Sequence, residues 1–142
     1  MENFSPKLNI ESKNIDPYFK WQTKMAKEGK TNIGELEYIH YALGDNGDNE
    51  DVERALGFAH SNYESREDLI ADLFIKKGDF VNAKELIVNV KKEDLYEAMI
   101  DSLEELILKK PDMKEDLMNE IAIVNPKFFA SIPKELLNIE NE

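Results

Sequence analysis

Two histidines, His40 and His60, are the only imidazoles in 142 residues, and no cysteine accompanies them. Two histidines can hold zinc from one helix face when they stand four residues apart. These stand much further apart, so each reads as a surface or helix-packing side chain. The lack of cysteine removes disulfides, thiolate nucleophiles and sulfur-ligated zinc together. The run "DNGDNEDVE", from Asp45, offers alternating oxygen ligands of the kind that bind calcium. It departs from a calcium loop at the two positions that matter most: Glu50 stands where the sharp turn needs glycine, and Leu56 where a bidentate glutamate is required. No glycine-rich loop of the nucleotide-binding patterns is present. Adjacent carboxylates, as at Glu93-Asp94 and Glu104-Glu105, could share a proton. In a chain with 30 acidic residues, however, such adjacency arises by chance and reads as solvated surface. The sequence therefore predicts no catalytic, cofactor or metal site, and a protein that is not an enzyme.

The most distinctive chemistry is aromatic and basic. Tyr18, Phe19 and Trp21 interleave with Lys20, Lys24 and Lys27, a pattern that serves membrane surfaces and nucleic acids. The plainer expectation is a first helix whose aromatics pack inward while its lysines face an acidic body. The charge distribution favours the second view. Residues 1–30 hold six lysines against four acidic residues, so the remainder carries −14 within a net charge of −12. Such a body repels phosphate backbones over a screening length of about 8–10 Å. Direct nucleic-acid binding is not expected, and a partner with a basic segment is. The apolar runs are short, "IAIV" at 121–124 being typical, against the roughly 20 residues needed to cross a bilayer. A soluble protein without a membrane partner is expected. With no basic and apolar leader at the start, a cytoplasmic location follows.

The elements that must position these groups are helical. Residues 1–15 read as a polar arm and 140–142 as a polar tail, with one domain over 16–139. Asp16-Pro17 is a helix start, an N-cap oxygen before a residue suited to the first turn. The helix runs to about Lys27 with Tyr18, Trp21 and Met25 on one stripe. Asn32 and Glu35 have the spacing of a capping box for a second helix carrying Leu36, Ile39, Tyr41 and Leu43. A turn over 45–51 leads to a third helix at 50–61, with Val52, Ala55, Leu56 and Ala59 on one face. Ser65 and Asp68 open a fourth, with Leu69, Ile70, Leu73 and Phe74, that ends at Gly78. Helices follow at 80–90 (Ala83, Leu86, Ile87, Val90), 93–109 (Leu95, Met99, Leu103, Leu106) and 112–124 (Leu117, Ile121, Val124). Asn125-Pro126 ends the last of these, and a short helix follows Pro133. The prediction is an all-α chain of about seven or eight helices, arranged as stacked antiparallel hairpins in a short α-solenoid.

Gly47-Asp48, Gly78-Asp79 and Pro111-Asp112 recur at 31 and 33 residues, each between two helical stretches. That is the period of a two-helix repeat, whose hairpins must stack to bury their inner faces. Residues 69–90, "LIADLFIKKGDFVNAKELIVNV", resemble the tetratricopeptide repeat: Ile70-Ala71, Phe74, Gly78-Asp79-Phe80, Ala83, Ile87 and Val90 fall in its pattern. The copy at 39–59 departs from it at His40, Leu43 and Val52, and the copy at 99–124 at Pro111 and Asp116. Other hairpin arrays share the period. The resemblance implies a concave groove lined by the first helix of each hairpin, which would place Ser65, Asp68, Asp72, Ile75 and Lys76, and Gly34, Glu37 and Tyr41, toward a partner. Such a groove is mostly acidic. It implies a non-enzymatic interaction module for a partner protein with a basic segment. An acidic mimic of nucleic acid, blocking the basic groove of a DNA-handling enzyme or toxin, is the alternative.

Overall fold

The computed structural model describes residues 16–30 and 34–137. The arm at 1–15, the tail at 140–142 and the cap expected at Asn32 lie outside the described residues. Among those described there are nine α-helices and no strand: α1 (Pro17–Lys27), α2 (Glu35–Leu43), α3 (Asn49–Asn62), α4 (Glu67–Lys77), α5 (Phe80–Val88), α6 (Tyr96–Lys109), α7 (Lys114–Val124), α8 (Pro126–Ser131) and α9 (Lys134–Leu137). The protein is all-α, as its periodicity predicts. The chain divides into two compact units, one up to Ala55 and one from Leu56, with the boundary inside α3.

In the first unit Asp16 caps α1 as expected, its Oδ1 accepting from the Tyr18 N–H at 2.8 Å. The start of α2 differs from the sequence reading. Gly34 is the N-cap, and Glu37 reaches back to accept its N–H at 3.1 Å. The turn before α3 depends on a different pair. Asp51 N–H donates to Asp48 Oδ1 at 2.9 Å and Asp48 N–H donates to Asp51 Oδ2 at 3.1 Å. This reciprocal arrangement satisfies two donors that a helix start leaves unpaired. Gly47 is required here by space: a Cβ on it would lie 2.3 Å from the Ala42 carbonyl oxygen and 2.6 Å from its Cα.

In the second unit the expected Ser65–Asp68 cap of α4 does not form. Arg66 is the N-cap and has no capping side chain, because Asp68 is engaged by the Arg66 guanidinium. The joint to α5 follows the sequence reading. Gly78 sits at φ +93°, where a side chain would be strained, and its N–H and that of Asp79 both donate to the Phe74 carbonyl, at 3.0 and 2.9 Å. Asp79 then caps α5 by accepting the Asn82 N–H at 3.2 Å. The third joint is built otherwise. Pro111 opens a 3₁₀ turn at 111–113, so α7 starts at Lys114 rather than 112, and a similar turn at 93–95 delays α6 to Tyr96. Asn125-Pro126 ends α7, but the same proline occupies the first position of α8, a helix the sequence reading missed. Val124, expected in the core, closes α7 half-exposed at 51 %.

The hairpin α4–α5 lies against α6–α7, α4 touching α6 and α5 touching α7. Lys84 pairs with Glu120 at 3.1 Å, and Asn125 Nδ2 donates to the carbonyls of Val88 and Val90 at 3.0 and 2.6 Å. Contacts that advance together along both helices mean α5 and α7 run in the same direction. Their core contains Ala71, Ile75, Ala83, Ile87, Met99, Leu103, Leu106, Leu117 and Ile121. Phe128, Ile132 and Leu136 from the last two helices and the loop between them add to it, Phe128 lying 5.1 Å from the Tyr96 ring. Ala83 is fully buried within this core. Ala83→Leu is expected to lower stability by about 1–3 kcal/mol through overpacking. The midpoint of urea unfolding measures this, and an unchanged midpoint would contradict the close α4–α5 approach.

Candidate binding surfaces

The residues that the sequence singles out fall in two places. Glu37 and Tyr41 belong to the first unit, and Asp68, Asp72, Ile75 and Lys76 to α4 of the second.

On α4 the structure corrects part of the expectation. Asp68 and Ile75 are 4 % and 2 % exposed, so neither lines an open groove. Ile75 belongs to the core, and the carbonyl of Asp68 faces Ser102 of α6 at 3.4 Å. A buried aspartate needs a partner. Arg66 supplies it, through Nε at 3.0 Å and Nη2 at 2.9 Å. Burial pushes the Asp68 carboxyl up, but the guanidinium bonds and charge outweigh that and leave it below its ordinary value.

Asp72, one turn further along α4, is half-buried and lacks such compensation. Ser102 Oγ donates to its Oδ1 at 2.6 Å. Burial first, and then the negative charges of Asp68, Glu105 and Asp101, push its carboxyl up to about 6. Beyond it α6 exposes Glu97, Asp101, Glu104 and Glu105, of which Glu105 lies 3.8 Å from Lys109. Lys76 is half-buried and Ser65 exposed at the two ends of this stretch. The helices α4 and α6 thus form an acidic face with a poorly neutralised carboxyl at its centre. Ser102 did not stand out in the sequence. Its signal is a small polar side chain beside the Met99, Leu103 and Leu106 stripe of α6, buried at 1 %.

The first unit is built around rings. Tyr18, Trp21, Tyr38 and Tyr41 form a continuous cluster, with Trp21 and Tyr38 centroids 5.2 Å apart and Tyr18 edge-on to Tyr38 at 5.2 Å. The aromatics of α1 therefore pack inward at Tyr18 and Trp21, while Phe19 stays exposed. Tyr38 is fully buried and donates its hydroxyl to Asp51 Oδ1 at 2.7 Å. Burial and this bond push its phenol far up. The lysines behave as expected in part: Lys20 approaches Glu50 at 4.0 Å, while Lys24 rests on the Tyr41 ring, 5.7 Å from its centroid. Beside this cluster opens a depression of about 570 Å³ lined by Trp21, Lys24, Met25, Lys30, Glu37, His40, Tyr41 and neighbours. Glu37 and Tyr41 thus stand on one cavity wall. His60 lies elsewhere, 6.0 Å from the Phe74 ring.

Among the described residues no group of His, Asp and Glu is arranged to hold a metal ion, and no helix is long and apolar enough to cross a membrane. The class these features define is an all-α protein bearing one acidic helical face and one aromatic depression. Comparison with protein-family models, with curated proteins and with solved structures finds no match.

Proposed function

We propose that the chain is a non-enzymatic interaction module that binds a basic segment of a partner protein on the acidic face of α4 and α6. The observation that carries this reading is Asp72. Its carboxyl is half-buried, bonded to Ser102 and surrounded by Asp68, Asp101 and Glu105, so its charge is unfavourable in the free protein. A lysine or arginine placed beside it would relieve that repulsion, and the exposed carboxylates of α6 would steer it there. On this reading the acidic contact lies on α4 together with α6, rather than on α4 alone.

Asp68 is a poor site to test this, because its removal would strand Arg66. Asp101 and Glu105 are exposed and serve better. The double charge reversal Asp101→Lys with Glu105→Lys is expected to weaken binding of a labelled oligo-arginine peptide at least about tenfold at low salt, with helicity unchanged. Fluorescence anisotropy at 50 and 300 mM salt measures it. Equal affinity in both proteins would remove the face from consideration.

A second reading rests on Glu97, Asp101 and Glu104, which place exposed carboxylates on successive turns of α6, about 5.4 Å apart along the axis. Such a row can stand in for a phosphate backbone. Inhibition of a basic nuclease by the intact protein, lost in the same double variant, would favour this mimicry over peptide binding.

A further inference from the structure

The depression in the first unit carries a separate reading, built on a surplus of donors over acceptors. Its acidic wall groups are already engaged: Glu28 lies 3.9 Å from Lys30, and Glu37 Oε1 accepts the Gly34 N–H. The Asn46 carbonyl accepts from the Tyr41 hydroxyl at 3.3 Å. Three donors remain. Lys24 rests against the Tyr41 ring rather than a carboxylate. His40 is exposed on the rim and has no hydrogen-bond or ionic partner among the described residues. Trp21 is 5 % exposed, and its indole N–H, buried behind the wall, meets no acceptor among the described residues. An unmet buried donor is costly, and native structures usually supply it with water or a ligand.

The same wall supplies apolar surface from Trp21, Met25 and Tyr41. The volume of about 570 Å³ lies within the range of small-molecule sites. Glu28 and Glu37 balance the charges of Lys30 and Lys24, so the donors without an acceptor, not net charge, favour an anion, and a bare inorganic anion would leave the apolar wall unused. We infer that the depression binds a small aromatic carboxylate, its ring against Met25 and Tyr41 and its carboxylate toward Lys24 and His40. This site is independent of the acidic face, since all of its lining residues precede Ala55.

Trp21 is the sole tryptophan, so its indole N–H gives one resonance that reports directly on the site. The intact protein is titrated with benzoate, with benzyl alcohol and with cyclohexanecarboxylate, following that resonance by ¹H–¹⁵N NMR. Benzoate is expected to shift it saturably, and about tenfold more tightly than either control. Lys24→Met should weaken benzoate by a similar factor while Lys24→Arg retains it, and Asp101→Lys with Glu105→Lys should change nothing. A shift that fails to saturate, equal response to benzyl alcohol, or undiminished binding by Lys24→Met in a folded protein would each overturn the assignment.

Discussion

Replacing Tyr38 by alanine is expected to remove about 3–5 kcal/mol of stability, the range for deleting a large buried ring from a well-packed core. Tyr38 is fully buried, touches the rings of Tyr18, Trp21 and Tyr41, and donates to Asp51. Asp51 in turn closes the reciprocal cap with Asp48 at the head of α3. One side chain therefore joins the packing of α1 and α2 to the start of α3. Tyr38→Phe separates the two contributions: it keeps the ring and strips a partner from a carboxylate only 7 % exposed. A smaller loss of about 1–3 kcal/mol is expected for it. Chemical denaturation followed by the fluorescence of Trp21 in the same cluster measures both. Near-equal losses would mean that the hydrogen bond, not the ring packing, dominates.

The opposite sign is expected at Asp72. Its carboxyl is pushed up to about 6 in the folded protein, so the folded chain holds this proton more tightly than the unfolded one. Stability therefore falls as pH rises from the ordinary carboxylate value through about 6, and the full penalty applies above that. Asp72→Asn keeps an oxygen for Ser102 and removes the charge, so it should stabilise the protein at pH 7.5 by roughly 2–3 kcal/mol. Near pH 4 the advantage should disappear, because the native carboxyl is then protonated. Urea titrations at the two pH values test this. A gain that is independent of pH would place its origin in packing rather than in charge. A group kept at a cost in stability is expected where binding, not folding, sets the requirement, and the same variant should bind the oligo-arginine probe more weakly.

The helical character of the chain was legible in the sequence because it depends on local features. Asp16-Pro17 starts α1 and Gly78-Asp79 joins α4 to α5 through bonds within a few residues. The apolar stripes at Ala83, Ile87, Met99, Leu103 and Leu106 need only helical periodicity to align. Boundaries failed where two local signals competed. Arg66 claimed the Asp68 carboxylate that would have capped α4, and Pro126 both ended one helix and began another.

The sequence by itself determined that the protein is all-α and strongly acidic beyond its first 30 residues, and it pointed to Glu37, Tyr41, Asp68, Asp72, Ile75 and Lys76 as groups expected to face a partner. Only the tertiary structure decided which of those groups are presented. Burial is set by which helix covers which face, and helices distant in sequence do the covering: α6 closes over Asp68 and leaves Asp72 half-buried against Ser102. The same holds for the depression beside Trp21, whose walls come from α1, α2 and the turn that follows, so no single stretch of residues encodes its shape.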